Sequence, residues 1–305
     1  MGTPDFALPS FEALMASSHE VVGVITQPDR PKGRGLQVIA PPVKIRALEH
    51  GLPVLQPVDL KDAEFLDALR RLQADCFAVV AYRILPPVVY EMPPKGCVNL
   101  HTSLLPKYRG AAPIQWALYN GDTETGVTTF FIEKKVDTGA WIFQDRTPIS
   151  PEDNAGTLHD RLAEMGGQLL LQTMDAIATG TAESHPQTGE ATPAPKITPE
   201  HCRIDWSRSA EAIRNQIRAF SPVPGAYTLW NGKRVKLFAA SMVEENDASV
   251  TPGSIVHLDD RIDIQTGRGI LSVGELQSEG KKRMSASDFL RGSSLKVNDR
   301  FGDDR

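Results

Sequence analysis

Cysteine is scarce in this chain, with Cys76, Cys97 and Cys202 the only three among 305 residues. They are odd in number and widely spaced, and they match no metal-ligand pattern. That excludes a disulfide framework and a zinc site and points to a reducing compartment. Long apolar runs are lacking as well. The longest, residues 76–82, is strand-sized, far short of the ~20 residues a membrane helix needs. The opening Met1-Gly2-Thr3-Pro4-Asp5 has neither the basic flank nor the apolar stretch of a secretion signal. The expectation is a soluble cytoplasmic protein with no membrane partner. Several catalytic signatures are missing too. No Gly-x-Gly-x-x-Gly follows a strand, Gly33-Arg34-Gly35 lacks the Lys-Ser/Thr of a phosphate loop, and no serine sits in a Gly-x-Ser-x-Gly elbow. Nor is there an excess of positive charge. With 33 basic and 38 acidic side chains the net charge is −5, which argues against bulk nucleic-acid binding.

The composition that remains, 41% apolar and 23% charged, is that of a globular chain long enough for two cores. Its charge is sorted. Residues 1–202 carry −7 and residues 203–305 carry +2. Residues 30–46 hold Arg30, Lys32, Arg34, Lys44 and Arg46 with no acid among them. Such sorting permits a polyanion partner on one face, although charge alone reads equally as solvated surface.

Residues 1–180 alternate strand-like and helix-like patterns. Apolar runs at 21–25, 76–81 and 97–101 bracket helical stretches at 42–50 and 61–72, with Phe65, Leu66, Leu69 and Leu72 on one stripe of the latter. Two further strands at 126–133 and 141–149 and a helix at about 156–178 follow. Continuous apolar strands between helices predict an α/β, doubly wound, mainly parallel sheet. Residues 181–202 are polar, proline-bearing and aperiodic at first, as a linker is. Beyond them a helix at 209–220 and five short strands predict a small OB-like β-barrel over residues 203–305. One feature breaks the doubly wound pattern. Gly2-Thr3-Pro4 looks like the turn that follows a first strand, yet no strand precedes it, so the sheet is expected to lack its first strand.

The densest run of polar chemistry lies at residues 99–115. Asn99 and His101, at i and i+2 of a strand, leave the same face. They stand where an apolar parallel strand ends, the place where open α/β sheets bind ligands. An amide donor beside an imidazole is equipped to bond one developing oxyanion, and the long Ser103-Leu104-Leu105-Pro106 loop follows directly. Asp137, in Lys135-Val136-Asp137-Thr138-Gly139, offers a carboxylate, although Asp and Gly also suit an ordinary tight turn.

Together these residues resemble the folate-dependent formyltransferases. Asn99-x-His101-x-Ser103-Leu104-Leu105-Pro106 looks like that family's active-site strand and folate loop, and Asp137 falls where its acid does. Four further motifs resemble the members that formylate a charged initiator tRNA. They are Gly2-Thr3-Pro4-Asp5-Phe6, Thr26-Gln27-Pro28-Asp29-Arg30-Pro31 with Gly33-Arg34-Gly35, residues 109–115, and Arg203-Ile204-Asp205-Trp206. The resemblance implies 10-formyltetrahydrofolate as co-substrate, no metal, initiator methionyl-tRNA as acceptor, and a monomer. It makes Asn99, His101 and Asp137 catalytic and places Ser103, Leu104, Leu105 and Pro106 around the folate. Arg30, Lys32, Arg34 and Lys44 would lie on the tRNA, with the second domain also binding tRNA. Asp137 would either orient His101 or accept the amine proton; orientation is preferred, since an ordinary carboxylate is a weak base at neutral pH. Two departures stand out. The family has a strand before the Gly2 turn, and near Ala81-Tyr82-Arg83 it carries a glycine and one more residue. The alternatives are a sugar-nucleotide N-formyltransferase, which has no use for the basic 30–46 segment, and a formyltetrahydrofolate hydrolase, in which water replaces the amine.

Overall fold

The computed structural model describes residues 1–32, 37–243 and 249–302, with the backbone only of Lys32 and Gln37. The chain divides into two compact units. The first comprises Met1–Pro113, Glu124–Pro148 and His159–Ala194; the second comprises Ile114–Thr123, Ile149–Leu158 and Pro195–Arg305.

In the first unit, α1 (Leu8–Met15), β1 (Val24–Ile25), β2 (Arg30–Lys32), β3 (Gln37–Ile39), α2 (Pro42–Glu49), β4 (Val54–Leu55), α3 (Ala63–Arg71), β5 (Phe77–Val80), α4 (Pro87–Tyr90), β6 (Cys97–His101) and β7 (Arg109–Gly110) follow in order. After α5 (Pro113–Asn120), which falls in the second unit from Ile114 onward, come β8 (Glu124–Phe131), β9 (Trp141–Pro148), α6 (Ala155–Thr179), in the first unit from His159 onward, and β10 (Pro193–Ala194). Helix α3 is placed by its sequence. The Asp62 side chain caps it by accepting the Phe65 N–H (3.0 Å), and Phe65, Leu66 and Leu69 form one buried stripe. They pack with Phe77, Val79, Val89 and Cys97 on one face of the sheet. On the other face Gly166 of α6 lies against Leu100, so the sheet is covered on both sides, as the apolar strands require.

The sheet is mixed. β1 pairs in parallel with β4, and β5 with β6, but β8 and β9 continue it antiparallel in the order β5-β6-β8-β9. The strand expected over 21–25 is paired only at Val24–Ile25. Residues 1–2 take the central position between β1 and β5. The Gly2 N–H donates to Ile25, the Val80 N–H donates to Met1, and the Met1 amine donates to the Ala78 carbonyl at 2.6 Å. Alongside them a cavity of about 340 Å³ runs between the flanking chains, lined by Phe11, Val21, Gly23, Leu72, Cys76 and Met174.

In the second unit the short α7 (Pro199–Cys202) leads to α8 (Ala210–Ala219), β11 (Ala226–Trp230), β12 (Lys233–Val243), β13 (Ile255–Leu258), β14 (Ile262–Gln265), β15 (Ile270–Ser278), β16 (Met284–Ser285) and α9 (Ala286–Arg291). The sheet order is β11-β12-β15-β14-β13, with β16 beside β15. Every pairing in it is antiparallel. The small all-β domain is present, but among the described residues no ladder joins β13 to β11, so the sheet is open where a closed barrel was expected. Register shifts at Leu237–Ala240 curl β12 between its two partners. Helix α8, capped by the Ser209 hydroxyl on the Ala212 N–H, packs Ile213 and Ile217 onto this sheet. In the Arg203–Trp206 run, Trp206 is buried and donates its indole N–H to Thr228 at 3.0 Å.

Candidate active site

The side chains of Cys97, Asn99 and His101 share one face of β6 by strand alternation. Cys97 belongs to the apolar core, so the two polar groups emerge at the end of the strand where that core runs out. His101 lies opposite Thr128 and is 6% exposed. Its Nε2 is 2.8 Å from the Tyr108 carbonyl oxygen. A carbonyl can only accept, so Nε2 carries the hydrogen, and Nδ1 is the nitrogen left for chemistry. Asp137 Oδ2 stands 3.8 Å from that Nδ1 and accepts the Gly110 N–H at 2.8 Å. The Asn99 amide makes no hydrogen bond to any described residue. The structure therefore brings His101 and Asp137 together from a strand and a distant turn, with Asn99 two residues before His101 on the same strand.

That turn joins β8 to β9 and is over-determined. Asp137 has φ +55°, unusual for a residue with a side chain. Gly139 approaches the Phe131 carbonyl so closely that a Cβ would overlap it, which explains the glycine two positions after the acid. Gln187 donates its amide to the carbonyls of Asp137 (3.0 Å) and Gly139 (2.8 Å).

The loop after β6 is fixed from beneath. The Thr128 hydroxyl donates to the Ser103 carbonyl (2.6 Å) and accepts the Leu105 N–H (3.2 Å). The Gln144 amide donates to the Leu105 carbonyl (2.8 Å) and to the Thr128 hydroxyl (3.1 Å). Ser103 is buried with its hydroxyl donating to the Lys107 carbonyl (2.6 Å); Leu105 is buried, and Leu104 and Pro106 are half-buried. Tyr108, Thr128, Gln144 and Gln187 were missed by sequence reasoning. Thr128 and Gln144 read as ordinary strand residues, and Gln187 lay in the stretch expected to be a linker.

The basic segment is less uniform than its composition suggests. Arg30 is exposed on β2; Lys32 follows it, its side chain outside the described residues, as is Arg34 entirely. Lys44 donates to Asp29 at 2.7 Å, and Gln56 donates to the other oxygen of the same carboxylate at 2.7 Å. Those bonds, Gln56 first and then Lys44, hold the Asp29 carboxyl below the usual carboxylate range. Arg46 is engaged by Glu12 at 2.6 Å and by Glu49. Among the described side chains of the run, Lys44 and Arg46 thus have counter-charges supplied from outside it. Burial pushes the Cys97 thiol up to about 12 and that of Cys76 up to about 11, so neither offers a thiolate at neutral pH. Among the described residues no group of three or more His, Cys, Asp or Glu could hold a metal ion, and no helix is long and apolar enough to cross a membrane.

The formyl transferase family model matches residues 1–174, and the model of the formyl transferase C-terminal domain matches residues 196–294. The methionyl-tRNA formyltransferase of Moorella thermoacetica is 50% identical over 295 residues, 96% of this chain and 94% of the relative. That of Pelotomaculum thermopropionicum is 48% identical over 297 residues, 97% of this chain and 95% of the relative. Among solved structures, the N-formyltransferase of Helicobacter canadensis in complex with folinic acid and dTDP-3-aminofucose has the same fold. Its TM-score is 0.66 at 20% identity, over 91% of this chain and 97% of that one.

Proposed function

This chain belongs to the formyl transferase family, and from that premise we propose that it moves the formyl group of 10-formyltetrahydrofolate onto the α-amine of methionyl-tRNA, the reaction its curated relatives are named for. The observation that carries the residue roles is the pairing at the end of β6: an Asn99 amide with no described protein partner beside a His101 whose Nε2 is committed and whose Nδ1 is free. Asn99 donates to the formyl oxygen as negative charge develops on it, an interaction stronger in the transition state than in the ground state. His101 Nδ1 takes the proton the attacking amine must lose, and the resulting N–H donates to the same oxygen; when the tetrahedral adduct collapses, the bond from the formyl carbon to folate N10 breaks and that proton passes to N10 as tetrahydrofolate leaves. Asp137, anchored by the Gly110 N–H, stays where it attracts that imidazolium. It acts through orientation and charge, because its Oδ2 is anchored by a backbone N–H and stands 3.8 Å from the ring nitrogen.

The loop of Ser103, Leu104, Leu105 and Pro106 binds the folate through main-chain groups and apolar contact, and the bonds from Thr128 and Gln144 support this by fixing its backbone. Arg30, Lys32, Arg34 and Lys44 meet the acceptor stem of the initiator tRNA, and the second domain, of net charge +2 over residues 203–305, meets it as well. The protein works as a cytoplasmic monomer. The deciding experiment offers the purified protein 10-formyltetrahydrofolate with charged initiator methionyl-tRNA, an amino-sugar nucleotide or water as acceptor. Transfer to the charged tRNA at the highest kcat/KM is expected; preference for the sugar nucleotide, or folate hydrolysis alone, overturns the reading.

A further inference from the structure

Residues 185–194 leave α6 and run back along the site. His185 and Trp141 exchange N–H to carbonyl bonds at 2.8 and 2.9 Å, which ties the segment to the start of β9. The Thr192 hydroxyl accepts the Tyr108 N–H (2.9 Å), its carbonyl accepts the Arg109 N–H (2.9 Å), and the Ala194 carbonyl accepts the Ala111 N–H (2.7 Å). The loop so held, 108–110, supplies the carbonyl that commits His101 Nε2 and the N–H that anchors Asp137.

Gln187 sits at the centre of this arrangement, and its amide is fully used. The oxygen accepts from Arg109 Nε (3.1 Å) and Nη2 (2.7 Å), while the nitrogen donates to the carbonyls of Asp137 and Gly139. No other residue type presents two donors and a double acceptor in one plane at this reach. The carbonyls it captures belong to a turn in which Asp137 is left-handed, a conformation of the kind that persists only where its surroundings hold it. Its other end grips the residue between Tyr108 and Gly110, so one side chain bridges the two loops that set the spacing of Asp137 and His101.

We propose that Gln187 is a positioning residue for formyl transfer. By locking the Asp137 turn to the Arg109 loop, it keeps the Asp137 carboxylate beside His101 Nδ1. The inference rests on the proposed role of Asp137, and a double-mutant cycle separates the two. The measurements are kcat, KM for 10-formyltetrahydrofolate and melting temperature for Gln187→Ala, Gln187→Glu, Asp137→Asn and the double variant of Gln187→Ala with Asp137→Asn. Gln187→Glu can still bind Arg109 but has lost both N–H donors, so it tests the turn and not the Arg109 anchor. Each Gln187 variant is expected to lower kcat about tenfold or more with KM changed by less than about twofold, and Gln187→Ala should cost less than about twofold further once Asp137 is Asn. A kcat within about twofold of wild type for Gln187→Glu, with Asp137→Asn impaired, overturns the positioning role and leaves Asp137 in place. Losses that multiply in the double variant overturn it as well, because Gln187 would then act independently of Asp137. Full activity in Asp137→Asn removes the reading on which the inference stands.

Discussion

His101 Nδ1 lies 3.8 Å from Asp137 Oδ2, too far for a hydrogen bond in this state and close enough for the carboxylate to attract a proton that arrives on the ring. The Tyr108 carbonyl decides which nitrogen that is, because it fixes the hydrogen on Nε2. Nδ1 is thus the ring nitrogen presented to Asp137.

Removing the groups that meet the formyl oxygen and the amine proton should therefore affect turnover before binding. Asn99→Ala and His101→Ala are each expected to lower kcat by roughly 10² or more with little change in folate affinity. Near-wild-type turnover in either variant refutes its role.

The opposite split is expected beneath the folate loop. Thr128→Val removes a hydroxyl that bonds both Ser103 and Leu105, and Gln144→Ala removes the donor to the Leu105 carbonyl. Each should weaken binding of 10-formyltetrahydrofolate by about 1–2 kcal/mol, the scale of leaving a buried polar group unpaired, with kcat less affected. Equilibrium folate binding checks this, and unchanged affinity in both variants excludes the supporting role.

Arg30→Ala and Arg34→Ala are expected to reduce kcat/KM for charged initiator tRNA by the ~1–3 kcal/mol of a close charged contact and to make its salt dependence shallower. Folate binding measured without tRNA should not change. Lys44→Ala should have the smallest effect of the three, because Lys44 must leave Asp29 to reach a phosphate. Equal losses with tRNA and with a minimal amine acceptor would place the segment's effect on chemistry and defeat the recognition reading.

A fourth expectation concerns stability and pH. Burial lowers the Met1 amine from 8.0 to about 6. Between those values the unfolded chain binds more protons than the folded one, so stability rises with pH through this window. The amine's penalty is fully present below pH 6 and gone above pH 8, a difference of about 2–3 kcal/mol. Acetylating this amine should remove the difference. So should placing about five apolar residues before it, a strand's length that also fills the adjoining cavity. Urea midpoints at pH 5.5 and 8.5, compared between the free and the blocked chain, decide the matter; a gap that does not change with pH sinks the account.

The local periodicities carried much of this protein. Alternation over 97–101 put Asn99 and His101 on one face, the Asp62 cap and the Phe65–Leu66–Leu69 stripe set α3, and the Asn231-Gly232 turn separated β11 from β12. These are properties of neighbours in the chain, where geometry follows from spacing. The motif at 99–106 and Asp137 stood out through their resemblance to a family's motifs; spacing alone left Asp137 readable as an ordinary tight turn. What the spacing could not contain is which distant groups meet. That His101 presents Nδ1 depends on a carbonyl seven residues away. That the Asp137 carbonyl is held by an amide fifty residues away, in a stretch whose composition reads as a linker, is likewise a product of the folded chain. The Lys44 and Arg46 charges are matched by Asp29 and Glu12, which are remote from them in the chain. Such pairings arise only once buried polar groups must each find a partner in the folded chain, a condition that tertiary packing imposes and sequence periodicity does not express.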